Sequence, residues 1–405
     1  MPLKSPPPIT SARSRRYSLA LALGLGLGWL LYLVAGQREG SAFLRGDFPA
    51  FYAAAELVWS GQGGELYDFE RQRALENRIW PDFAGDYYVF AYPPFFALLL
   101  APLAALTPLA AKALTSLLLV AALLGALRLL RPISDFVRQQ FAFTLVYLLT
   151  FAPLQISLVG VQNTALTLLL FALVHWAAQA GRPLVMGLAA AMLLYKPQFG
   201  ALLLVYLLAW GWGNPLPGGG LKALVMGWGL GALALYLLGA VVQGWDWPLT
   251  WLMAAGQFGD ANFVINDTNM ISLAGLVYWI ADRGLDLGAA ALPLAYLAAA
   301  VLMVLSAAYV RRAPARLVLV PPLVLLLSPQ TLFYDVTLAL QSLILILRPG
   351  QTRDFLLLAG IWLYGNVALL LRDTFDVPLF APLLWVLLAM LVLGERRLTA
   401  PGNRP

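Results

Sequence analysis

Of 405 residues, 61% are hydrophobic and 11% charged, with a mean hydropathy of +0.78. A soluble chain of that length cannot hide so much apolar surface, so the composition excludes a water-soluble enzyme and points to a polytopic membrane protein. The 26 Lys+Arg against 20 Asp+Glu leave a net +6, but the basic residues fall mostly in short loops, a topology signal with no concentrated nucleic-acid patch.

Cys is absent and His175 is the single histidine. Disulfides, thiolate metal ligands, a Cys nucleophile and His-built zinc sites are therefore excluded, and no metal or cofactor is expected. Residues 1–16 are basic and rich in Pro and Ser, the composition of a disordered cytoplasmic tail. Residues 17–36 give 20 uncharged positions, enough to cross a hydrocarbon core of about 30 Å. That stretch is too long for a cleaved signal core and reads as a retained anchor. Residues 37–92 then hold 14 of the chain's 46 charges, nine acidic and five basic.

Apolar segments follow near 95–107, 109–127, 141–157, 162–180, 183–195, 198–212, 223–243, 287–310, 317–333, 336–347, 355–371 and 377–394. If 95–107 crossed, Arg128, Arg131 and Arg138 would face outwards, against the positive-inside rule. Pro94, Pro102 and Pro108 bracket and interrupt that stretch, so it reads as a re-entrant or juxtamembrane helix on the outer face. The remainder falls into register as 12 spans with both termini inside and 17 of the 26 basic residues on the inner side. The expected architecture is an all-α polytopic membrane protein. Its single membrane domain covers 17–397, with a long outer loop at 37–108 and a cytoplasmic tail at 398–405.

This register gathers six polar segments on the outer face: Asp47, Tyr92-Pro93-Pro94, Gly160 to Asn163, Tyr195 to Gln198, Asp267 to Ser272, and Ser328 to Asp335. Isolated polar groups are costly in hydrocarbon, so their alignment argues for a shared cavity. Asp47 has two readings, a general base at the cavity mouth or an N-cap for the helix that starts at Phe48. Phe48, Phe51 and Tyr52 beside it suit stacking on a sugar or lipid. Lys196 reads as a phosphate partner, or as a snorkelling or acid-paired cation. Gln162 and Asn163 open a helix whose free N–H groups suit an anion or sugar oxygen, or they cap and bond between helices. Asp335 has three readings: pairing with Lys196, binding sugar hydroxyls, or capping. The aromatic loop 244–270 reads chiefly as an interfacial belt, His175 as structural, and Gly227, Gly229 and Gly231 as close helix packing.

The series Asp47-Phe48…Phe51-Tyr52-x-Ala54-Ala55, Leu66-Tyr67-Asp68 and Tyr92-Pro93-Pro94-x-x-Ala97-Leu98-Leu99-Leu100-Ala101-Pro102-Leu103 resembles glycosyltransferase family 87. Gly160-x-Gln162-Asn163, Lys196-Pro197 and Ser328-Pro329…Tyr334-Asp335 follow in that family's order. The resemblance covers most of 40–340 and implies a GT-C fold with about 12 transmembrane helices and an outward-facing active site. It implies transfer of a sugar, typically mannose, from a polyprenyl-phosphate carrier to a lipid-linked or glycan acceptor, with inversion and Asp47 as the base. On that resemblance Lys196, Gln162, Asn163, Tyr92 and Gln198 are expected at the donor phosphate or donor sugar. Tyr52, Asn269, Gln330, Tyr334 and Asp335 are expected at the substrates. Many relatives carry His near the Ser-Pro element where this chain has Gln330. The rival expectation is a transporter or flippase of lipid-linked sugars, which predicts paired halves that the sequence does not display. The expected location is the inner (plasma) membrane, with membrane lipids as partners and no nucleic acid.

Overall fold

The computed structural model describes residues 12–38, 46–81, 88–283 and 291–398. The tails expected before residue 12 and after 398, with Lys4 and Arg404, lie outside the described residues. Helix α1 (Ala12–Arg38) begins within the stretch expected as a tail. The described residues are helical throughout, apart from turns and one isolated antiparallel bridge between Met270 and Leu332.

The outer loop folds as α2 (Phe48–Trp59), α3 (Phe69–Ile79) and α4 (Pro94–Leu100), the last running into a 3-10 turn over Ala101–Ala105. Asp68 caps α3 by accepting the Arg71 N–H at 3.0 Å. Buried Gln72 bonds the Leu66 carbonyl at 2.6 Å and the Phe90 N–H at 2.8 Å, and Glu76 accepts the Tyr88 N–H at 2.8 Å. These polar residues of a surface-composition helix thus hold the chain at 88–90 in place. The stretch rejected as a span is a short apolar helix, Pro94–Ala105, that packs on α2.

The bundle continues through α5 (Pro108–Leu130), α6 (Asp135–Gln139), α7 (Phe141–Leu149), α8 (Ala152–Val159), α9 (Thr164–Gln179), α10 (Pro183–Met192) and α11 (Pro197–Gly213). It closes with α12 (Gly220–Gln243), α13 (Trp247–Ile265), α14 (Leu273–Arg283), α15 (Ala291–Val310), α16 (Val320–Leu327), α17 (Val336–Ile346), α18 (Thr352–Phe375) and α19 (Phe380–Leu398). Proline stands in the first turn of α2, α4, α5, α8, α10, α11, α13 and α16, where its missing N–H costs nothing and its fixed φ suits the helix.

Helix length sorts with burial. Among the described residues, Pro108–Leu130, Gly220–Gln243, Ala291–Val310 and Thr352–Arg372 are each long and apolar enough to cross a membrane. Their outward residues, such as Leu117, Val241 and Leu297, are exposed and need a hydrocarbon surround. By contrast α8, α16 and α17 are short and buried almost throughout. At 1.5 Å per residue these run only about 12–17 Å, so they end well short of a full crossing and leave space beyond their ends.

The segment expected as one span at 141–157 is instead two helices, α7 and α8, bent by 69°. Pro153 cannot continue the ladder of α7, and Phe151 between them is extended. The expected aromatic loop at 244–270 contains α13, a 19-residue helix. Trp245 remains exposed, but Trp247 is buried and donates to the Tyr236 carbonyl at 3.0 Å. Glycines bring α10 and α12 together: a Cβ on Gly187 would lie 2.0 Å from the Leu224 carbonyl oxygen, and one on Gly227 2.1 Å from that of Leu184. Gly229 has open space beside it. His175 is buried, with Nδ1 2.8 Å from the Phe171 carbonyl.

Candidate active site

The site starts from a contact between two backbones. Gly46 has φ +52°, and a Cβ there would lie 2.1 Å from the Gly160 carbonyl oxygen. Only glycine fits, and the next residue, Asp47, donates its N–H to that same oxygen at 3.0 Å. On the other side of the contact Val161 is held at φ +57°, a left-handed conformation that a β-branched residue adopts only when its surroundings impose it. The Ser157 hydroxyl donates to the Gln162 carbonyl at 2.9 Å and fixes the turn. Gly46→Ala is expected to cost at least about 1 kcal/mol in thermal unfolding and to displace Asp47, cutting activity more than stability.

Asp47 occupies the N-cap position of α2, yet its side chain makes no capping bond. The carboxylate turns into a cavity of about 940 Å³ and accepts the Tyr92 hydroxyl at 3.2 Å. It touches the cavity while protein surrounds it. Burial raises its pKa to about 6, a rise opposed by the charge of Lys196, the Tyr92 hydroxyl and the Gln162 amide, and assisted by Asp335. Tyr92 is packed edge-on to Phe51 and tilted against Phe96, and Tyr67 donates to its carbonyl at 2.8 Å. Trp251 of α13 donates to the Ala91 carbonyl at 2.9 Å, so the helix missed in the sequence pins the tyrosine's chain. Burial and the Asp47 charge push the Tyr92 phenol well up, so it remains a donor.

Lys196 lies at the break between a 3-10 turn over Leu193–Tyr195 and α11. Its Nζ is 3.0 and 3.2 Å from the two carboxylate oxygens of Asp335, which stands on the 3-10 turn Phe333–Asp335 just before α17. Thr164 at the start of α9 donates to Asp335 Oδ1 at 2.8 Å, and the rings of Phe199 and Tyr334 lie 5.0 and 5.8 Å from Nζ. Of the readings for Asp335, the pair with Lys196 forms, and the Asp335 side chain makes no capping bond to α17. An ammonium has three donors, so the pair leaves Lys196 capacity toward the cavity, which both residues line.

The facing wall is α13 with the Ser-Pro loop. Gln330 accepts from Asn262 Nδ2 at 2.9 Å and donates to the Gly259 carbonyl at 2.9 Å, tying the loop to α13. Ile271 N–H bonds the Thr331 carbonyl at 2.8 Å and Ser272 the Pro329 carbonyl at 3.3 Å. Arg372, an internal cation of α18, donates to Asn269 and lies over the Phe333 ring at 4.8 Å.

Asp47, Tyr92, Gln162, Lys196, Gln198, Asn269, Gln330, Tyr334 and Asp335 all line the one cavity. Tyr52 does not. Its hydroxyl donates to the Leu106 carbonyl at 2.7 Å and its ring packs on Phe48 and Trp80, because a residue five positions into α2 faces away from the carboxylate at its start. Tyr52→Phe is expected to cost about 0.5–1.5 kcal/mol of stability and to leave substrate affinity unchanged. Asn163 also stands behind the wall. It is buried near the Tyr92 hydroxyl, without a hydrogen bond of good geometry to its amide, and its carbonyl helps hold Tyr195. Thr164, Asn262 and Arg372 were not singled out from the sequence, and Trp251 was read there only as part of the aromatic loop 244–270. Arg372 alone carried a signal, a lone cation ending the apolar run 355–371.

Residues 90–329, which are 240 of the 405 positions, match the model of glycosyltransferase family 87. The chain belongs to that family. No curated protein and no solved structure matches it. As a family 87 glycosyltransferase it takes a sugar from a donor and passes it to an acceptor, and its apolar helices make it a membrane enzyme. The matched stretch holds Tyr92, Gln162, Lys196, Gln198 and Asn269. Asp47 lies before it, and Gln330, Tyr334 and Asp335 lie after it. Those four therefore join the family 87 region through the fold.

Proposed function

We propose that the protein is an inverting glycosyltransferase using a polyprenyl-phosphate sugar, with mannose as the sugar and a lipid-linked or glycan acceptor. In this reading the chain is a GT-C enzyme with 12 spans, both termini in the cytoplasm and its cavity on the outer face of the plasma membrane. One observation carries the chemistry: a carboxylate with a raised pKa, Asp47, shares a cavity with the cation Lys196, which pairs with Asp335, while Asp47 itself forms no ion pair among the described residues.

The acceptor hydroxyl attacks the anomeric carbon and gives its proton to the Asp47 carboxylate. The bond from that carbon to the phosphate oxygen breaks, and the polyprenyl phosphate leaves with the electron pair. Phosphate is already a competent leaving group, so its developing charge needs only preorganised donors. Lys196, Gln162 and Gln198 are assigned that task, while Asn269, Gln330 and Tyr334 bound the space left for sugars. The Asp335 carboxylate holds Lys196 in place and so sets where the phosphate sits. A pKa near 6 suits a base that must be ionised at neutral pH and still accept a proton.

The test is transfer of radiolabelled mannose from polyprenyl-phosphate mannose by purified protein, with membrane lipid extract as acceptor. Label in a lipid or glycan fraction supports the reading. If no polyprenyl-phosphate sugar donates while labelled lipid-linked sugar crosses vesicles, the reading is wrong and the chain moves its ligand.

A further inference from the structure

A second pocket, of about 350 Å³, lies at the opposite end of α2 from Asp47. It is framed by Glu56, Trp59, Ser60 and Gln62 at the end of α2 and by Arg71 and Arg78 of α3. No step of the transfer chemistry above uses any of them. Twelve residues of helix separate the two ends of α2, about 18 Å at 1.5 Å per residue. Nearly all of α2 is buried, so that distance is rigid.

The pocket is polar, yet its charges cancel. Arg71 Nε lies 3.1 Å from a Glu65 carboxylate oxygen, and Arg78 pairs with Glu56. Two guanidiniums against two carboxylates leave no net field to draw an anion. What they leave is a dense set of hydrogen-bonding groups. Each guanidinium has five donors, of which these contacts use a minority. Gln62 gives its oxygen to Arg71 Nη2 at 3.1 Å, so its amide nitrogen remains a donor. The Ser60 hydroxyl donates to the Glu56 carbonyl at 2.7 Å and keeps its lone pairs for an incoming hydroxyl.

Beside this network Trp59 is 60% exposed, a large ring held at the pocket edge by a rigid helix end. A neutral ring compound with hydroxyls on its rim and C–H groups on its faces matches both halves, stacking on the indole while its hydroxyls bond the charged network. We infer that this pocket is a second carbohydrate site, which binds a neutral sugar unit of the acceptor glycan at the far end of α2 from Asp47. The inference rests on the glycosyltransferase reading only for the word acceptor; the pocket's preference for a neutral sugar stands on its own residues.

The experiment is saturation-transfer NMR of mannotriose on full-length protein in nanodiscs of neutral lipid, using the Asp47→Asn form so that no turnover occurs. Trp59→Ala is compared with Trp59→Tyr, which keeps an aromatic platform. Trp59 is exposed, so neither change removes core packing. The expected result is saturable binding that weakens about tenfold in Trp59→Ala and recovers in Trp59→Tyr. In the transfer assay, Trp59→Ala then raises KM for a long glycan acceptor by a similar factor and leaves kcat unchanged. Equal binding by the Asp47→Asn protein with and without Trp59→Ala would overturn the inference. So would a Trp59→Ala effect confined to nanodiscs with anionic lipid, which would make the residue a membrane anchor. If the sugar binds through Trp59 but no transfer is found with any donor, the pocket stands and the transferase reading falls.

Discussion

Asp47→Asn abolishes sugar transfer while the protein stays folded. General-base catalysis contributes about 10²–10⁴-fold, and the amide cannot take up the acceptor's proton. The fold should not suffer. Burial raises the native carboxyl to about 6 from an ordinary value of 3.8, so the ionised form is disfavoured in the folded state. A group raised in this way contributes stability below its unfolded pKa, and that contribution is lost as pH rises through the folded value. At pH 7.5 the ionised Asp47 is therefore a cost that asparagine removes, and the variant's Tm should equal or exceed that of the wild type. The same titration governs activity with the opposite sign. kcat/KM of the wild type is expected to fall about tenfold per pH unit below pH 6 and to level off above it. Retention of full transfer by a folded Asp47→Asn protein would remove the carboxylate from the mechanism. A flat profile between pH 5 and 7 would do the same.

Lys196→Met is expected to cost about 3–5 kcal/mol, because it leaves the Asp335 carboxylate buried without its cation. The Thr164 hydroxyl at 2.8 Å is too little to hold that charge alone. Removing both charges in Lys196→Met/Asp335→Leu should restore stability to within about 1 kcal/mol of wild type, the remainder reflecting the lost bond from Thr164. Transfer should stay absent in the double variant if Lys196 faces the donor phosphate as proposed, since that cation is gone. Thermal unfolding of all three proteins in one detergent, beside their transfer rates, separates these terms. If the double variant is as unstable as the single one, the pair is not the coupling that matters. If it is stable and active, Lys196 has no part in binding phosphate.

Much of this arrangement was legible in the sequence because hydrocarbon imposes simple rules. Apolar runs end where Pro or a polar pair appears, and those ends became the ends of α5, α9, α10, α11 and α12 within a few residues. The six polar segments had to meet because none is tolerable alone in hydrocarbon, and residues from all six line one cavity. What escaped was set by tertiary choice. Whether Asp47 capped its helix or faced the cavity depended on Gly160, 113 positions away. The partner of Lys196 stayed open among several acids until α17 was placed. Helix α13 was hidden by glycines and scattered polar residues, and its tryptophans read as a lipid belt because their N–H partners, Ala91 and Tyr236, lie in other segments. Tyr52 failed as a cavity residue for a reason of periodicity alone.

The Gly46–Gly160 contact carries an evolutionary corollary. No side chain stands between those two backbones, so the spacing between the Asp47 carboxylate and the Gln162 turn is written in main-chain atoms. The opposite wall is different in kind. Gln330, Asn262 and Asn269 hold it together through side-chain amides, each exchangeable by a single codon change. A lineage can therefore remodel what the cavity admits along α13 while the reacting end keeps its dimensions. On the proposed mechanism, constraint and freedom to vary thus fall on separate walls of one chamber, and a change of sugar would be expected to come from substitutions along α13.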